Sequence, residues 1–158
     1  MKEITMKPAK IESFKIDHNK LNPGIYVSRT DGDIVTYDLR TRKPNMGDFM
    51  DNATMHSVEH MIATYIRSSA LAKDIIYFGP MGCQTGFYLL VRNADNEKVL
   101  SVLKETLKNV IGHEGEVFGA SAIECGNYKN LDISSAKEEC RKYLEILEGY
   151  SPDFKYEV

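Results

Sequence analysis

Cysteine and histidine are scarce in this chain, three and four among 158 residues. The cysteines, Cys83, Cys125 and Cys140, are odd in number, and no export signal accompanies them. A disulfide framework is therefore not expected, which leaves the thiols for metal binding or catalysis. The opening Met-Lys-Glu-Ile-Thr-Met-Lys stretch has no apolar h-region, and no apolar run approaches a membrane span. A cytoplasmic protein with no membrane partner is expected. Lys/Arg blocks are missing too, and a net charge of −3 gives no electrostatic footprint for nucleic acid. Neither internal repeats nor low-complexity segments break the chain. One domain over residues 1–158 is expected, long enough to bury a core.

What is present reads first as strands. Ser13-Phe14-Lys15-Ile16-Asp17 alternates, as does Gly24-Ile25-Tyr26-Val27-Ser28 after the Asn22-Pro23-Gly24 turn. Asp31-Gly32-Asp33 signals a turn before Ile34–Arg40, where Val35, Tyr37 and Leu39 share one face and Thr36, Asp38 and Arg40 the other. The Lys43-Pro44-Asn45-Met46-Gly47 run then breaks the strand pattern, and a helix is predicted from Thr54 to Ser69, with Asn52 or Thr54 as its cap. Further strands are predicted at 74–78 and 84–92, and helices at 96–111 and from Ser135, in a Ser135…Glu138 capping box, to Glu148. The intervening His113–Tyr128 stretch is expected to be a loop. Strands followed by helices, without regular alternation, predict an α+β fold with a largely antiparallel sheet packed against helices.

The chemistry concentrates in His56-Ser57-Val58-Glu59-His60. Residues four apart on a helix lie about 40° apart around its axis, so both imidazoles leave one face, with Glu59 on an adjoining strip. This is the order of the inverted zinc-peptidase motif, H-x-x-E-H. Two imidazoles need at least one more protein ligand, and a catalytic site also keeps a position open. Cys125, in Glu124-Cys125-Gly126, is the attractive third ligand, the glycine allowing close backbone approach. Cys83 sits between turn signals in Gly82-Cys83-Gln84-Thr85-Gly86, where a thiol is better placed for reactivity than for packing. Cys140, within the last helix, is read as structural. The plain alternative for the metal helix is a solvated polar face, because Val58, Met61, Ile62, Tyr65 and Ile66 already supply a core face.

Taken together, five stretches resemble the S-ribosylhomocysteine lyase (LuxS) family. They are Ser13–His18, Tyr37–Arg40 with Lys43-Pro44-Asn45, His56–His60, Gly79–Gly86 and Glu124–Gly126, in the family's order and spacing. The resemblance implies an α+β homodimer, related to metallohydrolase-like folds, with its active site at the subunit interface. It implies His56, His60 and Cys125 as metal ligands and Glu59 and Cys83 as the proton-transfer pair. Ser13, His18, Arg40 and Arg67 would line the substrate pocket. Ferrous iron would be the cofactor, one per subunit, with Zn²⁺ or Co²⁺ able to substitute, as a two-His, one-Cys set allows. The substrate implied is S-ribosylhomocysteine, cleaved to homocysteine and the autoinducer-2 precursor 4,5-dihydroxy-2,3-pentanedione. Many family members carry Asp-Ile-Ser where Tyr77-Phe78-Gly79 stands here, and the stretch between His18 and Asp33 is short.

Two rivals predict different things. A metallopeptidase would use Glu59 to activate water, but its third ligand is usually a carboxylate and Cys83 would have no task. A structural metal or sensor domain would need a closed four-ligand site, and no fourth ligand stands near Cys125 in the sequence.

Overall fold

The computed structural model describes residues 7–157. The opening stretch through Met6, read above for its lack of an h-region, lies outside them. Four strands, β1 (Gly24–Asp31), β2 (Ile34–Arg40), β3 (Ile75–Pro80) and β4 (Gly86–Arg92), form one antiparallel sheet in the order β1-β2-β4-β3. Three helices, α1 (Asn52–Ile66), α2 (Asn96–Ile111) and α3 (Ile133–Glu148), complete the α+β fold. Among the described residues no helix is long and apolar enough to cross a membrane.

The period-two pattern sets the sheet's inner face. Tyr37 pairs with Leu89 and Leu39 with Phe87, and all four are buried together with Ile25 and Val91. Phe78 of β3 stacks on Phe87 at a centroid distance of 5.1 Å. Helix α1 packs against β3, α2 and α3, and α2 packs against α3. The core face read for α1 holds, with Val58, Met61, Ile62 and Ile66 buried. Cys140 is buried as well, and burial pushes its thiol far above the ordinary range, so it is an inert packing residue.

Each helix starts on an aspartate. Asp51 accepts the Thr54 N–H at 2.7 Å, Asp95 that of Glu97 at 3.2 Å, and Asp132 that of Ser134 at 3.2 Å. A carboxylate there answers an otherwise orphaned N–H and is worth about 1 kcal/mol. Neither Asn52 nor Thr54 is the cap of α1, and α3 begins two residues before Ser135, whose hydroxyl instead bonds Asp132.

Other expectations need correcting. Ser13–Asp17 is not a strand: a 3₁₀ turn, Glu12–Phe14, occupies its start, and an ion pair between Lys15 and Glu12 follows. This segment lines open cavities together with outer-face residues of the sheet such as Thr36, Arg40 and Tyr88. Strand β3 runs on through Gly79 and Pro80, which pair with Tyr88 and Phe87, because an edge strand tolerates the missing proline N–H. The outer face of β2 is buried at its far end too, with Asp38 1% and Arg40 2% exposed, while Thr36 is half-buried.

Candidate metal centre and thiol cavity

Helix α1 brings His56 and His60 together with ring centroids 4.6 Å apart, edge to face. Cys125 reaches them from the loop after α2, its Sγ 3.2 Å from His56 Nε2. One donor atom from each of the three side chains lies within 4.8 Å of the others. The rings are oriented for ligation. His60 Nδ1–H donates to the Phe118 carbonyl at 2.7 Å, and His56 Nδ1–H donates to the Asn130 side-chain oxygen. With both Nδ1 atoms protonated and engaged, each Nε2 presents a lone pair, the arrangement in which imidazoles bind metals.

The glycine that this centre needs is not Gly126, since a Cβ at Gly126 would meet nothing within 4 Å. It is Gly119, at φ +71°, where a Cβ would stand 3.1 Å from His60 Nδ1. The neighbouring Phe118 is fixed by rings. Its centroid lies 5.2 Å from that of Tyr65 and 4.7 Å from that of His113. His113 Nε2–H donates to the Glu116 carbonyl, and its Nδ1 accepts the Tyr65 hydroxyl, both at 2.8 Å. Asn130, Phe118 and His113 were missed in the sequence because each acts through tertiary contact, with no spacing signal.

Glu59 and His60 open into a cavity of about 500 Å³, shared with Arg67 and Tyr77. No hydrogen bond or ion pair to another described residue engages the Glu59 carboxylate. The ring of Tyr77 folds back over Gly79, where a Cβ would lie 2.1 Å from the phenol oxygen, so a tyrosine at 77 in this position requires a glycine at 79.

A second cavity, about 340 Å³, gathers Ser13, His18, Arg40 and Cys83, four of the residues expected at the site. It shares no lining residue with the Glu59 cavity, so within one chain the two members of the expected proton-transfer pair face different spaces. Exposed Cys83 precedes Gln84, a non-glycine residue at φ +65°. That left-handed turn is held by Gln84 Nε2 donating to the Met50 carbonyl at 2.8 Å and Met50 N–H donating to Gln84 O at 3.0 Å.

Arg40 organises the sulfur. Its Nε and Nη2 donate to the two oxygens of Asp38 at 3.1 and 2.7 Å, and its Nη1 donates to Thr85 Oγ1 at 2.8 Å and to Cys83 Sγ at 3.7 Å. The Thr85 hydroxyl that accepts from Arg40 also shares a hydrogen bond with the sulfur at 3.0 Å, in which either the hydroxyl or the thiol donates. Burial disfavours the guanidinium charge, but the Asp38 charge and hydrogen bonds outweigh it and keep Arg40 cationic. His18 Nδ1–H donates to the Ile16 carbonyl at 2.9 Å.

A helix carrying two histidines, a loop cysteine and a separate thiol cavity on an antiparallel α+β frame define a candidate mononuclear His₂Cys metalloprotein. The chain belongs to the S-ribosylhomocysteinase (LuxS) family, whose family model matches residues 11–151. It is similar to the S-ribosylhomocysteine lyase of Finegoldia magna, 48% identical over 143 residues, covering 87% of this chain and 91% of the relative. The S-ribosylhomocysteine lyase of Borreliella afzelii is 44% identical over 144 residues, 87% and 92% of the two chains. That of Phocaeicola vulgatus is 44% identical over 153 residues, 92% and 95%.

Proposed function

We propose that the chain is a metal-dependent lyase cleaving the C5–S thioether of S-ribosylhomocysteine to homocysteine and 4,5-dihydroxy-2,3-pentanedione. The observation that carries this reading is the convergence of His56, His60 and Cys125 within 4.8 Å, in a chain that also presents an Arg40-bonded Cys83. The donor set fits a divalent ion. Two imidazole lone pairs and one thiolate suit Fe²⁺, Zn²⁺ or Co²⁺, and we assign ferrous iron, one per subunit, with the other two as substitutes. When bound, the ion supplies Lewis acidity that polarises a sugar oxygen.

The remaining work falls to side chains. The leaving sulfur is on C5, and a thiolate departs readily only from a carbon β to a carbonyl. The carbonyl of the open-chain sugar must therefore move from C1 to C2 and then to C3. Each move takes a proton from the carbon next to the carbonyl and returns one to the neighbouring carbon. Cys83 Sγ and the Glu59 carboxylate exchange these protons, each contributing about 10²–10⁴-fold. Loss of the C4 proton then forms C4=C5, and the C5–S pair leaves with sulfur as homocysteine. The resulting enol takes a proton at C5 to give the diketone. No electrons are gained or lost overall. Ser13 and His18 bind the substrate beside Cys83, and Arg67 borders the Glu59 cavity.

Because Glu59 and Cys83 face separate cavities in one chain, we assign the working enzyme as a homodimer whose site is completed at the subunit interface. Exposed Phe14 borders the Cys83 cavity, exposed Tyr77 the Glu59 cavity and exposed Ile11 the groove beside Ser13, and together they supply apolar surface for such a contact. A single cytoplasmic domain of metallohydrolase-like fold, supplying the autoinducer-2 precursor and recycling homocysteine for the methyl cycle, completes the reading.

The test is anaerobic. Protein loaded with Fe²⁺ or Co²⁺ is given S-ribosylhomocysteine, and released thiol is followed with a chromogenic disulfide. Release that disappears in Cys83→Ala and Glu59→Gln at unchanged metal content supports the reading. No release from the loaded wild type overturns it, and a monomeric mass by light scattering at micromolar concentration overturns the dimer.

A further inference from the structure

The C-terminal segment, beyond the residues matched by the family model, is built into the Cys83 network. Phe154 is buried at φ +64°, and its carbonyl accepts the Val27 N–H of β1 at 2.8 Å. Two residues later the ring of Tyr156 stacks on Tyr26, with centroids 5.1 Å apart and planes within 14°. Its hydroxyl donates to Asp38 Oδ2 at 2.8 Å. That oxygen also receives Arg40 Nη2, and the same guanidinium touches Cys83 Sγ. Four groups therefore form one chain: phenol, carboxylate, guanidinium and thiol.

We propose that Tyr156 is a positioning residue for Cys83, acting through Asp38 and Arg40. The inference rests on the reading of Cys83 as the reactive thiol of a lyase. The physical argument is charge sharing. Asp38 is almost fully buried, so its negative charge must be met by donors inside the protein. The Tyr156 phenol meets part of it, which leaves more of the guanidinium's positive charge to face the sulfur. Burial and the adjacent Asp38 charge hold the Tyr156 phenol well above its ordinary value, so it stays a donor at any working pH. Tyr26, Tyr143 and Tyr150 crowd the same region, and Tyr143 Oη donates to the Gly24 carbonyl while Tyr150 Oη accepts the Ile25 N–H. Tyr156 is thus the tyrosine of this cluster whose hydroxyl bonds the carboxylate.

Removing only the hydroxyl, in Tyr156→Phe, keeps the stacked ring. The full Asp38 charge then draws on Arg40, and less positive charge reaches the sulfur. Because the thiolate is the species that alkylates, the rate of Cys83 modification by iodoacetamide should fall about three-fold at fixed neutral pH. A merely structural role would leave that rate unchanged, or raise it as the tail loosens. The measurement uses full-length, metal-loaded protein, with modification quantified on the Cys83 peptide by mass spectrometry. Turnover of S-ribosylhomocysteine is measured alongside, with kcat expected to fall several-fold and KM to hold. Asp38→Asn removes the charge that competes with the sulfur for Arg40, so it should instead speed alkylation, and adding Tyr156→Phe to it should change the rate no further.

Wild-type alkylation rates in both Tyr156→Phe and Asp38→Asn would overturn the proposal, as would a faster rate in Tyr156→Phe. If the wild type releases no thiol from the substrate while Tyr156→Phe still slows alkylation, the lyase reading fails and the positioning of Cys83 by Tyr156 stands.

Discussion

The Ser57 hydroxyl accepts the Asp132 backbone N–H at 2.7 Å while donating to the Ala53 carbonyl at 2.6 Å. Ser57 sits between the two histidines of α1 and is fully buried, and Asp132 caps α3. One hydroxyl therefore ties the metal helix to the far end of the segment that carries Cys125 and Asn130. Ser57→Ala would strand a backbone N–H and should cost about 1–3 kcal/mol, read as a lower urea midpoint. It should also weaken metal retention, because the Cys125 loop loses its anchor. A midpoint equal to wild type would contradict the link.

Asn130 has a narrower task. Its side-chain oxygen takes the His56 Nδ1–H and so holds the ring with Nε2 toward Cys125. Asn130→Ala should lower metal affinity about 10–100-fold, the usual cost of losing a partner behind a metal-binding imidazole. Competition between Co²⁺-loaded protein and a chromogenic chelator measures it directly. Gly119→Ala should do comparable damage by another route, since its new Cβ would press on His60 at a strained φ of +71°.

Tyr77 and Gly79 form a matched pair whose separation is testable. In Gly79→Ser the added Cβ and the Tyr77 phenol cannot both stay, but the obstruction is the end of an exposed side chain, which can swing away. Stability should therefore change by no more than about 0.5 kcal/mol. KM should rise a few-fold, because Tyr77 borders both the Glu59 cavity and the groove beside Ser13. A KM unchanged from wild type would remove Tyr77 from the substrate path.

Acid should loosen α1 through its cap. The Asp51 carboxylate is held below its ordinary value of 3.8 chiefly by the Thr54 N–H bond. With the folded value depressed, its contribution is present above the unfolded value and lost as pH falls through the folded one. Asp51→Asn keeps a capping oxygen without the charge. The stability gap between wild type and variant should be open at pH 7 and close below about pH 3.8. Urea midpoints of chelator-treated protein across that range provide the check.

Much of the fold follows from periodicity. The inner face of β2 and the whole of α2, Asn96–Ile111, are where the sequence pattern puts them, because burial on one side leaves a period to read. Ser13–Asp17 misled for the same reason: alternation needs a neighbouring edge before it means a strand. The three helix caps fell to aspartates rather than to Asn52, Thr54 or Ser135, a choice made by local bonding of the backbone. At the site, spacing was enough to pair His56 with His60. The partners that orient them were not legible, since Asn130 is 74 residues from His56 and Phe118 is 58 from His60. Asp38 was equally hidden, because its cover arrives 118 residues later, with Tyr156.

The unequal exposure of the three thiols gives the protein an internal clock for its own unfolding. Cys83 is exposed and Cys125 partly so, whereas Cys140 sits sealed in the core. A thiol reagent added to native protein free of metal would consume two sulfurs per chain quickly, and the third only as often as α3 separates from the core. The slow phase reports the opening rate of that core without any introduced label. The fast phase fixes the background that any measurement of released homocysteine must subtract.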